Sequence, residues 1–402
     1  MSSNQWKSVK LENLLVKIID NRGKNPPFSF DGYPYIDTTC IVGDNRFPDY
    51  SLVRKYIAEE TYQHWFRSGH PQKNDILIAT VGANIGKICL MDDTKACIAQ
   101  NTIGLMTNNQ IANPVFLYYV LSSNEKQGYL KSLDIGSAQP SIKVPHLLNI
   151  KIDLPPLHIQ NIIAHILSSL DEKIELNRQT NVTLDAIAQA IFKEWFVDFN
   201  FPGATGEMVE SELGSIPKGW RVGRLREVCN ITMGQSPPGE SYNENGEGVP
   251  FYQGRTDFGF RFPKNRVYTT NPKRYANKFD TLVSVRAPVG DMNIATETCC
   301  IGRGLASVIE KNGNFTFTYY LLNRLTEKFK KYEGTGTVFG SINKKDFEEM
   351  TFIVPSEHLI SLFEKVCRST DETIYLTWQE NETLTSIRDN LLPKLMNGEI
   401  EL

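Results

Sequence analysis

The strongest constraint on this chain is that it is written twice. Ile152-Asp153-Leu154-Pro155 is matched by Phe352-Ile353-Val354-Pro355, His158 by His358, Ile162 by Leu362 and Ile166 by Val366. Asp171-Glu172 is matched by Asp371-Glu372, Ile174 by Ile374, Leu184 by Leu384 and Ile187 by Ile387, at a constant offset of 200. With small shifts the match runs backward. Ser141-Ile142 faces Ser341-Ile342, Phe116 to Leu121 faces Phe317 to Leu322, and Val81 to Gly86 faces Val285 to Gly290. Asp75-Ile76-Leu77 faces Asp280-Thr281-Leu282, and Trp6 and Leu11 face Trp220 and Leu225. Two copies are too few for a stacked solenoid. They predict a pseudo-twofold internal repeat in the order domain, helix, domain, helix.

The helices follow from periodicity. After Pro155-Pro156, apolar or small residues recur at 159, 163, 166, 170, 174, 177, 181, 184, 188, 191 and 195, in steps of three and four. That is the seam of a coiled coil. Asn177 and Asn181 interrupt it, and a buried seam Asn needs a polar partner on the facing helix. The second seam is Leu359, Phe363, Val366, Thr370, Ile374, Thr377, Asn381, Leu384, Arg388, Leu391 and Leu395, opening at Pro355-Ser356-Glu357 with Ser356 as cap. Each helix spans about 40 residues, roughly 60 Å. Helices that long need a partner, and the repeat makes an antiparallel pair the simplest one. The first helix ends in a surplus of apolar side chains, Ile191, Phe192, Trp195, Phe196, Val197 and Phe199. They suit either packing against a domain or docking of another protein.

The globular segments read as mixed. Residues 75–81 and 280–285 look like strands ending at glycine turns, and 116–121 and 317–325 like short helices. The expected fold is α+β: two similar mixed α/β domains separated by two long antiparallel helices forming a coiled coil.

Composition sets the class. Of 402 residues, 41% are hydrophobic and 22% charged, as in a folded soluble protein. The start has no signal-peptide core, and no apolar run reaches membrane-spanning length. Seven cysteines without a CxxC pair fit free thiols in a reducing cytoplasm. The net charge of -3 hides a pattern. Segment 1–155 has 16 basic and 14 acidic side chains, and 205–354 has 20 and 17. Segment 156–204 has 3 and 6, and 355–402 has 4 and 9. Mildly basic domains alternate with acidic helices, which permits a nucleic-acid partner for the domains without demanding one.

Enzymatic motifs are few. Asn25-Pro26-Pro27-Phe28 is the tetrapeptide with which amino-methyltransferases hold a flipped adenine, but no glycine-rich cofactor loop accompanies it. Val81 to Gly86 has neither dinucleotide-fingerprint spacing nor a phosphate-loop Lys-Ser/Thr. The six histidines show no HExxH or metal spacing, and no GxSxG occurs. No catalytic and no metal-binding residues are expected.

Several stretches resemble type I restriction-modification specificity subunits. They are Leu154-Pro155-Pro156-Leu157, Gln160 to Ala164, Leu170 to Asn177, Ile191 to Phe199, Gly136 to Ile142, Met233 to Pro238 with Tyr242, and Leu384 to Gly398. The resemblance covers nearly the whole chain in the family's order. It implies target-recognition domains at 1–155 and 219–354, a central long helix at 156–199, a connector at 200–218 and a C-terminal long helix at 355–402. It also implies that each domain reads one half of a split, asymmetric duplex DNA target while the helices act as spacer. Two methyltransferase subunits dock on the helices, and two motor-nuclease restriction subunits can join. This subunit would hold no cofactor, with S-adenosylmethionine, ATP and Mg on the partners.

Base reading needs Arg, Lys, Asn, Gln, Asp, Glu or Ser on rigid loops, and backbone contacts need cations, hydroxyls and amides. The candidates in the first domain are Arg22, Lys24, Asn84, Gln139 and Lys143. In the second they are Gln235, Ser236, Tyr242, Gln253, Arg255, Arg286 and Arg303. Spacer and docking candidates are Ile174, Asn177, Leu184, Ile191, Phe192, Trp195, Phe196, Ile374, Leu384, Ile387 and Leu391. Two other readings compete: a scaffold with two protein-binding domains on a coiled coil, and an adenine methyltransferase fragment using Asn25 to Phe28.

Overall fold

The computed structural model describes residues 6–43, 45–133, 140–333, 340–400 and 402. The two predicted seams become helices Leu157–Phe196 and Glu357–Met396, each of 40 residues and offset by 200. The second opens as expected, with the Leu359 N–H within 3.4 Å of Ser356 Oγ. It closes at Gly398, whose φ of +66° is the left-handed conformation that glycine adopts without a Cβ clash.

The chain divides into two compact units, each built from one globular domain and a length of both helices. The first comprises Met1–Arg178 and Trp378–Leu402, the second Gln179–Thr377. Inside each unit the helices run antiparallel. In the first, Asp171 meets Arg388 and Asn177 meets Asn381. In the second, Asn181 meets Thr377, and Phe192 meets Phe363.

In the first unit an antiparallel four-stranded sheet has the order Leu15–Ile19, Thr102–Thr107, Ile76–Ala79, Ile88–Leu90. A second sheet joins Tyr56–Ile57, Tyr33–Ile36 and Cys97–Ile98, the last two parallel. The second unit repeats the four-stranded sheet and enlarges the other to five strands. Its four-stranded sheet is Cys229–Met233, Leu305–Glu310, Thr281–Ser284, Met292–Ile294, and Val249–Tyr252 lies parallel to Cys299–Ile301. Each domain is closed at its base by pairing its first strand with its last, Lys7–Lys10 with Lys151–Leu154 and Arg221–Arg224 with Thr351–Val354.

The predicted short helices appear as Pro114–Ser122 and Phe315–Arg324. In the first unit Phe116, Leu117 and Leu121 form one core with Ile163, Ala164 and Leu167 of the first long helix and Leu395 of the second. The helices are therefore part of each domain's core. Segment 200–218 holds more than a connector. Met208–Ser211 pairs with Gly214–Pro217 in a hairpin whose turn is closed by Gly214 at φ +97°.

Candidate nucleic-acid interface

In the second unit four loops leave one end of the sheets. Cys229–Met233 runs into Gly234-Gln235-Ser236, Val249–Tyr252 into Gln253-Gly254-Arg255, and Thr281–Ser284 into Val285-Arg286-Ala287. Leu305–Glu310 is entered from Gly302-Arg303-Gly304. The loops hold one another. Ser236 Oγ donates to Gln253 Oε1 at 3.0 Å, and the Arg303 N–H approaches Ser236 Oγ at 3.3 Å. The Gln235 N–H donates to the Ile301 carbonyl at 2.9 Å, Gly304 N–H to the Gln253 carbonyl at 3.1 Å and Val285 N–H to the Gly304 carbonyl at 2.9 Å. Glycine makes this closeness possible. A Cβ on Gly234 would stand 2.1 Å from the Gly302 carbonyl oxygen, and one on Gly304 2.5 Å from that of Gln253. Backbone packs on backbone, and the result is a rigid platform.

Gln235, Ser236, Gln253, Arg255, Arg286 and Arg303 all lie on this platform, and all but the half-buried Ser236 are exposed. Tyr242 flanks it, its hydroxyl donating to the Pro237 carbonyl at 3.0 Å and its ring 4.8 Å from Phe251. Arg255 is neutralised by Asp291. Arg286 and Arg303 have no side-chain hydrogen bond or ion pair among the described residues.

The first unit builds the same end from Asp20-Asn21-Arg22, Asp37-Thr38-Thr39, Thr80-Val81-Gly82 and Ala99-Gln100-Asn101. Asn84 belongs here, its Nδ2 donating to the Thr38 carbonyl at 2.7 Å. Arg22 is held by Asp20, Nε to Oδ1 at 2.9 Å. Lys143 is exposed at the opening of Val144–Leu148, two residues beyond the Ser141 bridge to Val81. Lys24 is exposed further along its loop. Gln139 lies outside the described residues.

The register between the copies needs one correction. The sequence match sets Val81 against Val285, but the bridges set it against Arg286: Val81 pairs with Ser141, and Arg286 with Ser341. The Ile142 N–H reaches the Thr80 carbonyl at 2.9 Å as Ile342 reaches Val285 at 3.0 Å. The Gly82 N–H likewise reaches Pro140 as Ala287 reaches Gly340, both at 3.0 Å. Domain one carries its extra residue later, before Gly86, where the turn tolerates a longer loop. The shared valines had masked this.

The same register identifies residues that sequence reasoning missed. Tyr35 pairs with Cys97 as Phe251 pairs with Cys300, which makes Asp37 the counterpart of Gln253. Thr80 bonds to Asn101 as Val285 bonds to Gly304, which makes Gln100 the counterpart of Arg303. No local signal marks them, because the equivalence runs through pairings of residues 19 to 62 positions apart.

Each domain is bolted to the helices by a buried polar cluster. In the second unit Arg261 is 1% exposed. Its Nη1 donates to Asp185 at 2.6 Å and to the Tyr320 hydroxyl at 2.8 Å, and its Nη2 to Asp371 at 2.6 Å. Its guanidinium lies 4.2 Å from the Tyr319 ring centre. Burial alone would lower the arginine's pKa, but the carboxylates around it, Asp371 foremost, raise it, so it stays a cation. In the first unit Asp171 takes the Tyr119 hydroxyl at 2.5 Å and Arg388 at 2.8 Å.

On the helices Ile174, Asn177, Phe192, Phe196 and Ile374 are buried, while Leu184, Ile191, Trp195, Leu384 and Leu391 are half-buried. Phe192 and Phe196 pack on Phe317 and Phe363, so the aromatic end of the first helix is part of the second unit's core. Asn177 Nδ2 donates to Glu380 at 2.7 Å and Asn381 at 2.9 Å, and Asn181 accepts from Thr377, which supplies the polar partners the seams require. Ile387 is exposed, as are its counterpart Ile187 and the pair Leu176 and Leu376.

The Asn25 to Phe28 stretch is a loop. Pro26 is buried, and the Phe28 ring is taken by Tyr35 at 5.2 Å and Lys55 at 4.5 Å. Among the described residues no three His, Cys, Asp or Glu side chains are grouped to hold a metal. No helix is long and apolar enough to cross a membrane.

The chain matches the family model for the type I restriction modification DNA specificity domain over residues 4–186 and 217–358. It is 35% identical to a putative type I restriction enzyme MjaX specificity subunit of Methanocaldococcus jannaschii, over 99% of this chain and 94% of the relative. It is 26% identical to the type I restriction enzyme HindI specificity subunit of Haemophilus influenzae, over 99% of this chain and all of the relative. Its fold is similar to the crystal structure of a type I restriction-modification S subunit from M. genitalium, with a TM-score of 0.60 at 19% identity over 97% and 96% of the two chains.

Proposed function

Because this chain belongs to the type I restriction-modification DNA specificity family, we propose that it is the specificity subunit of such a complex, reading a bipartite, asymmetric duplex DNA target. Each sheet-end platform reads one half, and the helices set the number of unread base pairs between them. One observation carries this reading. The strand pairings and backbone bonds that hold the platform loops correspond in the two domains, yet the side chains on the two platforms differ. Matching frames with different readers suit two different half-sites in inverted orientation.

The exposed apolar pairs on the helices, Leu176 with Leu376 and Ile187 with Ile387, repeat at the offset of 200. A repeated surface suits two copies of one partner, and the methyltransferase subunits are that partner. Motor-nuclease subunits join the same assembly. Methyl transfer, ATP hydrolysis and cleavage, with S-adenosylmethionine, ATP and Mg, belong to those subunits. The seven buried free thiols support a reducing, cytoplasmic setting.

The test is a binding curve of the full chain with its methyltransferase partner on duplex DNA. Affinity should fall linearly in log–log form with salt, with a slope near −0.9 per phosphate contact. The methylated adenines should fall in two short motifs at fixed spacing. Salt-independent binding, or methylation without a two-part motif, would remove the reading.

A further inference from the structure

Arg286 and Arg303 lie just beyond the end of one antiparallel pair. Ser284 pairs with Leu305, and the Val285 N–H bonds to the Gly304 carbonyl at 2.9 Å. Arg286 follows on the one side, bridged to Ser341, and Arg303 on the other, inside the turn closed by the Leu305 N–H on the Gly302 carbonyl at 3.0 Å. Neither arginine has an acidic partner among the described residues, and two carboxylates of this domain are committed elsewhere. Asp291 holds Arg255, and Asp257 holds Arg266 at 2.9 Å.

The two cations stand on the most rigid part of the platform, beside Gln235 and Gln253. Gln253 Oε1 accepts from Ser236, and its amide NH2 has no partner among the described residues. This surface carries two cations and two amides, with the Asp291 carboxylate committed to Arg255. The first domain differs at the same places. Val81 stands opposite Gln100, and Asp37, an acceptor, takes the place of Gln253.

Guanidinium donors on a frame braced by backbone hydrogen bonds fit a base edge that offers acceptors only. In the major groove that edge is guanine, with O6 and N7 both accepting, and arginine is its commonest specific partner. We propose that Arg286 and Arg303 each read a guanine in the half-site of the second domain. The first domain, with Val81 and Gln100 there, makes no such contact. This rests on the DNA-reading function above.

The experiment uses the full chain assembled with its methyltransferase subunits and a randomised duplex library, scored by adenine methylation. Wild type is compared with Arg303→Gln, Arg303→Lys, Arg286→Gln and, in the first domain, Gln100→Ala. Each arginine-to-glutamine change should relax one position, a G·C pair in the wild-type target, by about 5- to 150-fold. The other half of the target should be unchanged, and Arg303→Lys should keep part of the preference. Gln100→Ala should leave the arginine-read half untouched. Both arginines are exposed and have no partner among the described residues, so thermal melts should not move. The proposal is overturned if the relaxed position is an A·T pair or if nothing changes. It is also overturned if affinity drops equally for all sequences with a shallower salt slope, the mark of a phosphate contact. A wild-type complex with no sequence preference would instead overturn the functional reading, and this inference with it.

Discussion

Arg261 and Arg46 hold the same place in the two copies, and their surroundings give them unequal weight. Leu90 bonds to the Arg46 carbonyl at 2.7 Å as Ile294 bonds to that of Arg261 at 2.8 Å. In the first unit Arg388 already claims Asp171, so Arg46 turns to Glu172 at 3.1 Å, a side chain 67% exposed. In the second unit Ala188 stands where the other helix has Arg388, and Arg261 takes Asp371 itself. Removing a buried partner leaves uncompensated charge, whereas an exposed pair contributes little. Arg261→Ala should cost the second unit about 3–5 kcal/mol, and Arg46→Ala should cost the first about 1 kcal/mol. Hydrogen exchange resolved by unit measures both, and equal losses would contradict this account. Glu364 gives a pH signature. Burial pushes its carboxyl up to about 7, against the opposing hydrogen bond from the Phe317 N–H at 3.1 Å. Between its ordinary range and about 7 the folded state holds a proton that the unfolded chain has released. Its contribution is therefore present below about pH 4.5 and lost as pH rises through 7. Glu364→Gln should remove that slope, with a difference from wild type of about 1–3 kcal/mol at pH 8. Parallel urea-midpoint profiles from pH 5 to 8 would show that Glu364 does not titrate this way.

At the scale of elements, the helix seams trade stability for register. Asn177 is 3% exposed and Asn181 5%, each inside an apolar seam and each satisfied by the facing helix. A shift of the pair by one turn would strand these amides against Ile or Leu and leave them unbonded, which buried amides do not tolerate. Replacing Asn177 and Asn381 together with Leu should raise the first unit's stability by about 1 kcal/mol or more. It should also permit mispaired or self-associated species, seen by light scattering. A less stable variant that stays monomeric would show that the amides hold the fold together and do not select its register. The strands behave differently. The parallel pairs are only two residues long and contribute little by themselves, yet they decide which loops meet at the platform.

For the whole molecule, duplication followed by divergence accounts for most of what is seen. The frame is kept where both copies must meet the same helices, and changed where each copy meets its own target. This explains why net charge was a poor guide. The basic excess of each domain is small, but cations such as Arg255 and Arg22 are neutralised while Arg286 and Arg303 have no partner among the described residues. What counts for binding is the unpaired charge at one sheet end, which a sum over the chain averages away.

The helices, their length, the seam amides and the order of parts were legible in the residues, because helical periodicity and a gapless repeat are local patterns. So were most platform residues of the second domain, because Gly-containing loops after short strands announce themselves. Other features depend on pairings between distant segments. The partners of Arg261 come from 76 and 110 residues away, Asp37 is matched to Gln253 through a parallel strand pair, and Val81 stands at Arg286's position by a backbone bridge. Only the folded chain decides these, because a hydrogen bond between remote residues depends on three-dimensional register and leaves no trace in the spacing of letters.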